Sequence, residues 1–376
     1  MTAAYVHVPF CGRVCPYCDF AVVAGRDGLM DRYVDALISE IGMEQSIPAL
    51  DAVFVGGGTP SRLPAESLAR ILQALTDRFG FADNVEVSLE ANPEDWTEEL
   101  AAGLVRAGFN RVSFGAQSFD PGVLRYLGRQ HSPADIDNGV AVSRRAGFAS
   151  VSLDLIFGAP LETPASWSAT VDAALKLEPD HVSTYALTVE RGTALSRLVS
   201  AGAAAPDPDD QADKYELAQR RLVAAGLDHY EVSNYARAGH ECRYNLNTWA
   251  QGDYVAFGLG AHGHVGGLRR RNVRNLDTYL DRVAGGERPE LGREVIHGWD
   301  QELERAFLGV RMRKGVEVGR VAPALLSDPE GRQLVDGGVV AIRGDRLQVI
   351  DPLLTDAVAR VVLGLAEPDQ ALSTRT

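Results

Sequence analysis

The chain has 376 residues, which at roughly 150 residues per domain corresponds to two or three structural units. Lys and Arg number 37 against 51 for Asp and Glu, so the net charge is −14. This balance disfavours a nucleic-acid-binding protein, because binding to phosphates requires clustered positive charge. Hydrophobic residues make up 45% of the chain and charged residues 23%, which indicates a folded globular protein and excludes a disordered one.

The sequence lacks the features of membrane and secreted proteins. The longest stretch without Asp, Glu, Lys or Arg, residues 254–268, is shorter than the ~18–20 residues that a membrane-spanning helix needs. The N-terminus has neither a basic region nor a long apolar segment, so we predict no signal peptide and a cytoplasmic location. Four cysteines, three of them close together, suit a metal site in a reducing compartment better than a disulfide framework.

Six short apolar or β-branched runs alternate with helical patterns in the first half of the chain. They predict strands at residues 4–8, 52–55, 85–89, 111–114, 150–156 and 181–186, and helices at residues 29–43, 65–79, 97–107, 133–146 and 165–177. Such alternation predicts a parallel sheet covered by helices, either open or curled into a barrel. A helix at residues 211–225 and a seventh apolar run at residues 230–235 follow. We assign residues 1–235 to this α/β unit.

The second half of the chain has a different pattern. Residues 236–299 are predicted to connect two units, and segment 239–267 is dense in Gly, Asn and His, which indicates a long structured loop. Residues 300–376 contain three short helical patterns, a hairpin at residues 339–350 that turns at Gly344 and Asp345, and a last helix at residues 353–365. This pattern resembles a small winged-helix-like α+β domain, but the acidic balance of the chain argues against DNA binding.

Three cysteines form a C-x3-C-x2-C motif directly after the first predicted strand: Cys11, Cys15 and Cys18. Three thiolates in one loop suit a [4Fe–4S] cluster with one iron left open for a small molecule. Two other interpretations stay open. Cys15 and Cys18 alone match a dithiol redox motif, and a zinc site would need a fourth ligand such as His7 or Cys242.

The cysteine motif and its flanking residues resemble those of the radical S-adenosylmethionine (SAM) superfamily. More narrowly, the chain is similar to the oxygen-independent coproporphyrinogen oxidase family, and within it to the haem chaperones, through Tyr5, His7, Pro9, Phe10, Asp19 and Phe20. The resemblance extends from Tyr5 to about Gly266. It implies a partial (βα)6-type radical SAM barrel with one [4Fe–4S] cluster on the three cysteines. It also implies SAM at the open iron and, in the enzymes of the superfamily, reductive cleavage of SAM.

Polar residues follow several predicted strands, at the end where a βα barrel has its binding site. The run from Gly56 to Thr59 lets a ligand approach the backbone, Glu90 ends the third strand, and Asp154 interrupts an apolar run, where a carboxylate needs a partner. The alternatives are a tight turn for the glycine run, a surface acid for Glu90 and a structural carboxylate for Asp154. The resemblance places SAM against Tyr5, Tyr17, Gly57, Gly58, Thr59, Glu90, Gln117, Arg129 and Asp154.

Two departures distinguish the branches of the family. Coproporphyrinogen oxidases carry a further cysteine just beyond the triad, whereas here Asp-Phe-Ala follows Cys18, which disfavours oxidase activity. Haem chaperones carry a His-Asn-x-x-Tyr-Trp segment associated with haem. This chain retains Asn245 and Trp249, but Thr248 replaces the tyrosine and Tyr244 replaces the histidine, the usual axial ligand of haem iron.

Tyr244 offers a phenolate to ferric iron if a cation such as the adjacent Arg243 stabilises its charge, and other ligands are nearby in sequence at His240, Cys242, His262 and His264. We therefore expect a haem chaperone-like protein. It would bind haem or porphyrin through Tyr244, Asn245 and Trp249 and transfer haem to an acceptor such as a respiratory protein. The changed Tyr244 favours an alternative, a radical SAM methyltransferase or cyclopropanase-type enzyme; an oxygen-independent coproporphyrinogen III oxidase is a more remote one.

Overall fold

The computed structural model describes residues 1–368, and its largest element is a twelve-stranded sheet. The strands are β1 (Thr2–Val8), β2 (Phe10–Cys11), β3 (Val23–Ala24), β4 (Leu50–Gly57), β5 (Phe81–Ala91), β6 (Arg111–Gln117), β7 (Ser150–Phe157), β8 (His181–Ala186), β9 (Asp228–Glu231), β10 (Asn234–Ala236), β11 (Asp253–Gly258), β12 (His262–Val265), β13 (Leu268–Asn272), β14 (Glu290–Val295), β15 (Val316–Glu317), β16 (Val340–Arg343) and β17 (Arg346–Val349).

Most helices of the first half connect consecutive parallel strands. The α-helices of the described chain are α1 (Met30–Met43), α2 (Ala65–Phe79), α3 (Glu98–Ala107), α4 (Pro121–Tyr126), α5 (Pro133–Ala146), α6 (Pro164–Lys176), α7 (Ala194–Ser200), α8 (Pro208–Ala224), α9 (Arg243–Trp249), α10 (Leu276–Ala284), α11 (Gly298–Gly309), α12 (Val321–Ser327), α13 (Pro329–Asp336) and α14 (Thr355–Leu363). The helices α3 and α5 end, as expected, at left-handed glycines, Gly108 and Gly147.

The large sheet has the order β14-β13-β12-β11-β1-β4-β5-β6-β7-β8-β10-β9. Neighbours from β1 through β4 to β8 pair in parallel, and β11 pairs in parallel with β1 on its other side. All six predicted strands of the first half are confirmed, and so is the predicted α/β partial barrel. Because the strands are parallel, their carboxyl ends lie on the same edge of the sheet.

The two faces of the parallel strands differ in polarity. Val87, Leu89 and Val112 belong to the main hydrophobic core under the helices, whereas the alternating residues Ser88 and Arg111 are buried polar groups. Side chains alternate between the two faces of a strand, so a polar face toward the barrel interior follows from the sequence of β5 and β6. The candidate functional site lies at the end of that polar interior where the parallel strands have their carboxyl ends.

Two segments differ from the expectations drawn from the sequence. Residues 230–235, expected as one strand, contain the end of β9, a turn at residues 232–233 and the start of β10, and the two strands are antiparallel to each other. Residues 239–267, expected as a loop, contain α9, β11 and β12, and β11 to β14 extend the large sheet. The glycines there mark tight turns: Gly266 and Gly267, with φ of +57° and +79°, join β12 to β13. Glycine adopts this left-handed conformation at no steric cost.

A second, smaller hydrophobic core lies among α11 to α14 and the three-stranded sheet β15-β17-β16. The predicted hairpin and its turn at Gly344 are confirmed. Backbone hydrogen bonds from Val232 to Arg311 and from Arg313 to Tyr230 join this part to the β9 strand. The winged-helix-like assignment and the domain boundaries stay predictions, and residues 369–376 of the predicted domain lie outside the described residues.

No helix within residues 1–368 is both long enough and apolar enough to cross a bilayer.

Candidate functional site

A cavity of about 430 Å³ lies at the carboxyl ends of the parallel strands, and we call it the cysteine cavity. Its lining includes all three cysteines of the motif. It also includes eight of the nine residues that the resemblance placed around SAM, namely Tyr17, Gly57, Gly58, Thr59, Glu90, Gln117, Arg129 and Asp154. Residues far apart in the chain therefore meet at one site.

The cysteine loop begins at the end of β2 and returns to pair β3 with β2. Within the loop the Cys18 amide donates to the Cys15 carbonyl at 3.1 Å, which forms a tight turn. Cys11 is buried, while Cys15 and Cys18 are half-buried. The motif is thus held at the edge of the sheet with its three thiols toward the cavity.

Polar side chains support two of the sulfurs. Thr59 Oγ1 lies 3.7 Å from Cys11 Sγ, and Arg129 Nη1 lies 3.7 Å from Cys15 Sγ. Asn92 forms hydrogen bonds with both of these side chains: it donates to Thr59 Oγ1 at 3.3 Å and accepts from Arg129 Nη2 at 2.5 Å. Hydroxyl and guanidinium donors stabilise thiolate sulfur, as an iron–sulfur cluster requires. Sequence reasoning missed Asn92, although its position two residues after Glu90 was a usable signal.

The thiols of Cys11 and Cys18 are protonated when no metal is bound. Burial raises the pKa of Cys11, and burial also raises the pKa of Cys18 to about 11. Metal ligation requires thiolates, so assembly of a cluster here must release protons. The donors from Thr59 and Arg129 lower the cost of that deprotonation.

The described side chains are not grouped around a single metal ion. Within residues 1–368 no three Cys, His, Asp or Glu side chains are grouped closely enough to hold one metal ion. His7, one suggested fourth ligand, is instead hydrogen-bonded through Nδ1 to the Tyr5 hydroxyl at 3.0 Å and through Nε2 to the Ala21 carbonyl at 2.9 Å. A [4Fe–4S] cluster differs, because each thiolate binds its own iron.

The glycine run lies directly against the first two strands. The Gly58 amide donates to the Val8 carbonyl and the Thr59 amide to the Phe10 carbonyl, both at 2.8 Å. Gly57 has φ of +113°, and a Cβ at this residue would lie 2.5 Å from the His7 ring. Only glycine fits here, so the run has both a packing role and a place on the cavity wall.

Two carboxylates face the cavity with different partners. Glu90 accepts from the Gly57 amide at 2.9 Å, and burial, reinforced by Asp154, raises the pKa of Glu90 to about 7. Asp154 accepts from Ser183 at 2.6 Å and from Ser113 at 3.0 Å, and burial raises its pKa as well. The two serines are the partners that the buried Asp154 needs, so it is already satisfied by the protein.

Gln117 and Tyr185 complete the wall. Gln117 ends β6 at an irregularity in the register and has φ of +62°, a strained conformation for a residue other than glycine. Tyr185 near the end of β8 also lines the cavity. Sequence reasoning did not select Tyr185, because nothing in an isolated strand distinguishes a cavity tyrosine from a core one.

Tyr5, the remaining residue expected at SAM, lies elsewhere. It lines a second cavity of about 300 Å³, which we call the aromatic cavity and define by Tyr5, Phe20, Tyr244, Tyr254, His262 and Arg274. Asp19 and Phe20, directly after the cysteine motif, line both cavities. The two cavities are therefore neighbours.

The three residues expected to bind haem do not line one cavity. Tyr244 lines the aromatic cavity, whereas Asn245 and Trp249 do not. Trp249 packs against the second hydrophobic core, with the Arg311 guanidinium 5.2 Å from its ring centroid. Tyr244, Asn245 and Trp249 all belong to helix α9, and the side chains along a helix point in different directions.

The expected support for a Tyr244 phenolate is also missing. The Arg243 guanidinium donates to the Asn84 carbonyl at 2.5 Å and lies 4.0 Å from Asp51, so it is engaged away from the aromatic cavity. Burial and the neighbouring Tyr254 raise the pKa of Tyr244 well above its ordinary value. Tyr244 is therefore a neutral phenol, and the suggestion that Arg243 stabilises its phenolate is wrong.

The fold and the cysteine cavity define a radical SAM protein, and residues 5–174 match the radical SAM superfamily. Within it, the chain belongs to the family of the haem chaperone HemW. It is 42% identical over 369 residues to the "Heme chaperone HemW" of Mycobacterium tuberculosis H37Rv, covering 96% of this chain and 94% of that one. The HemW of Bacillus subtilis is 36% identical over 327 residues and covers 86% of both chains.

A solved structure has the same fold. Coproporphyrinogen III oxidase (HemN) from Escherichia coli, described as a radical SAM enzyme, superimposes with a TM-score of 0.83 at 22% identity, covering 96% of this chain and 90% of that one. At this identity the likeness concerns the fold.

Proposed function

We propose that the protein is a haem chaperone that binds a [4Fe–4S] cluster and SAM and carries haem to an acceptor protein. The observation that carries the cofactor part is the cysteine cavity, where three thiols and eight expected SAM residues share one wall. The haem part is supported by membership of the HemW family.

Each part of the cysteine cavity has a role in this proposal. Cys11, Cys15 and Cys18 would hold three irons of the cluster, which when reduced would supply one electron to SAM. Gly57 and Gly58 let SAM approach the backbone, because no side chain stands between. Glu90 and Asp154 suit the hydroxyl and cationic groups of SAM, while Arg129 holds Cys15 in place.

Oxidase activity is the less favoured function for this fold. The residue after Cys18 is Asp19, followed by Phe20 and Ala21, so the further cysteine of the oxidases is absent from this position. We therefore expect haem to be bound and released unchanged rather than coproporphyrinogen to be decarboxylated.

The cofactor part is tested on anaerobically purified protein. We expect about four irons per chain and an EPR spectrum of the reduced cluster that changes at saturating SAM. Asp154→Ala should weaken the change caused by SAM and leave the iron content intact, because Asp154 lies on the cavity wall and not at a sulfur. An EPR spectrum that does not respond to SAM would contradict the proposed SAM site.

The haem part is tested by titrating the reconstituted protein with ferric haem and following the Soret band. We expect saturable binding, transfer of haem to an added apo-acceptor, and no decarboxylation of coproporphyrinogen III. A protein that binds no haem would refute the chaperone function and leave an enzyme of the same superfamily as the better description.

A further inference from the structure

The aromatic cavity has a cationic side at the hairpin β12–β13 and the segment that follows it. His262 begins β12 and is exposed, and its cross-strand partner in β13 is Arg271. Arg274 lines the cavity and donates to the Asp19 carbonyl at 2.6 Å. A cationic wall in a chain of net charge −14 indicates a site for an anionic ligand.

Arg274, which lines the cavity, and Arg271, which lies across the hairpin from His262, are not neutralised by carboxylates of the described residues. Arg269 and Arg270 in the same hairpin pair with glutamates. Arg271 and Arg274, by contrast, form no ion pair with any carboxylate among residues 1–368. Guanidinium groups without a carboxylate partner are suited to binding ligand carboxylates, often with two parallel hydrogen bonds.

Aromatic side chains also line the cavity. Tyr244 stacks on Tyr5 with 5.8 Å between ring centroids and on Phe54 with 5.2 Å, and the interplanar angles are 25° and 29°. Phe20, on the loop of the cysteine motif, is 62% exposed although it is a large apolar side chain. Stacked rings and an exposed phenylalanine fit a flat apolar ligand.

His262 is the better metal ligand of this cavity. His262 lines the aromatic cavity, and its partial burial, together with the charges of Arg271 and Arg274, lowers the pKa of its imidazole, so the ring is neutral near neutral pH. A neutral imidazole has a free electron pair for iron. Tyr244 would have to lose a proton in a buried place, which its raised pKa opposes.

We propose that the aromatic cavity binds haem, with the His262 imidazole as axial ligand of the iron and with Arg271 and Arg274 bound to the haem carboxylates. This inference rests on the proposed function, because it gives the place and the ligands of the haem that the chaperone carries. It moves the iron ligand from helix α9 to strand β12. Phe20, shared by both cavities, places this haem next to the cluster.

His262 is tested by comparing ferric haem with metal-free protoporphyrin IX on the reconstituted full chain. His262→Ala should weaken haem binding at least about tenfold and shift the Soret band, and added imidazole should restore the spectrum. The affinity of His262→Ala for protoporphyrin IX should match that of the wild type, because protoporphyrin IX contains no iron for a histidine to ligate. His297→Ala is the matched control, since His297 is an exposed histidine that lines neither cavity.

The arginine variants are tested with the same ligands, and they should lose affinity for haem and for metal-free protoporphyrin IX alike. Arg274→Gln and Arg271→Gln should weaken haem and protoporphyrin IX alike and should leave the binding of haem dimethyl ester, which lacks the charged carboxylates, unchanged. Because Arg274 also contacts Asp19 beside Cys18, the iron content of the Arg274→Gln protein is measured in parallel. It should equal that of the wild type. Tyr244→Phe should retain the wild-type haem spectrum.

The outcomes separate this inference from the proposed function. If the wild type binds haem and His262→Ala binds it with the same affinity and spectrum, the assignment of His262 is overturned while the chaperone function stands. If Tyr244→Phe alone changes the spectrum, the ligand is Tyr244 and the inference is wrong. If the wild type binds no haem, the proposed function itself fails.

Discussion

The cysteines of this protein differ in what surrounds their sulfurs. Cys11 and Cys15 each have a hydrogen-bond donor 3.7 Å away, from Thr59 and Arg129 respectively, and both line the cysteine cavity. Cys242 is buried at the start of α9, where burial raises its pKa to about 12. Cys242 lines neither the cysteine cavity nor the aromatic cavity, so it is not grouped with the other three cysteines.

We predict that Cys11→Ala, Cys15→Ala and Cys18→Ala each abolish iron and sulfide binding, because a cluster cannot be held with two protein thiolates and SAM. Cys242→Ala is the matched control and should retain the wild-type iron content and absorbance. Iron and sulfide are measured after anaerobic reconstitution. Full iron in any variant of the triad would show that the cluster is held elsewhere.

We predict that the Glu90 carboxyl makes SAM binding depend on pH. Its pKa is about 7 without ligand, mainly because of burial. A cationic ligand favours ionised Glu90, so binding releases a proton, and SAM affinity should rise by up to about tenfold per pH unit below pH 7 and level off above it. Glu90→Gln should remove this part of the slope, since glutamine does not ionise.

This prediction is checked by measuring SAM affinity for both proteins at several values between about pH 6 and pH 8. The difference between the two slopes isolates Glu90, because protons released by SAM itself contribute equally to both. Identical slopes would mean that Glu90 does not face a cationic part of the ligand.

At the scale of elements, the turn after β4 couples the glycine run to the strand that precedes the cysteine loop. A Cβ on Gly58 would lie 2.7 Å from the Pro9 carbonyl group, and backbone cannot move as easily as a side chain. Any side chain at position 58 would therefore displace this turn. Its displacement would change the cavity wall and the support of Cys11 by Thr59 together.

We predict that Gly58→Ala lowers the free energy of unfolding by about 1–3 kcal/mol and weakens SAM binding, as overpacking against a fixed neighbour does. Gly28→Ala is the control, since a Cβ at Gly28 meets nothing within 4 Å. Denaturant unfolding and SAM titration measure the two effects. Wild-type values for Gly58→Ala would show that this turn adjusts freely.

At the scale of the whole molecule, α9 links the barrel to the second hydrophobic core. Tyr244 packs on Phe54 inside the barrel, while Leu246 and Trp249 pack against the second core. Arg311 lies over Trp249 and over Phe307, at 5.2 and 4.5 Å from the ring centroids. One short helix therefore connects the two cores.

We predict that Trp249→Ala lowers the free energy of unfolding by on the order of 2 kcal/mol and leaves haem affinity unchanged, because Trp249 contacts the second core and neither cavity. Trp249→Phe retains much of the apolar contact and should cost less. Denaturant unfolding and haem titration provide the measurements. Lost haem binding at unchanged stability would place Trp249 in the haem site after all.

Charge is another property of the whole molecule that composition describes only in part. The net charge of −14 argued against a nucleic-acid-binding protein. Arg274 nevertheless lines the aromatic cavity and Arg271 is the cross-strand partner of His262, and neither arginine forms an ion pair with a carboxylate within residues 1–368. A sum over the sequence cannot show this, because it contains no positions.

The sequence by itself determined the features that depend on local order along the chain. The alternation of strands and helices follows from hydrophobic periodicity, and the cysteine motif follows from ligand spacing within one loop. The polar residues at strand ends were also foreseeable, because parallel strands bring their carboxyl ends to one edge. The HemW family and the parallel sheet agree with these expectations.

Only the tertiary structure decided where individual side chains point and which distant residues meet. It directed Tyr5 to the aromatic cavity, turned Arg243 toward Asn84, and separated Tyr244 from Trp249. It also brought His262 to the same cavity as Phe20, more than two hundred positions earlier in the chain. Strand register and helix phase set these directions, and both are determined by packing between distant segments, which no local pattern specifies.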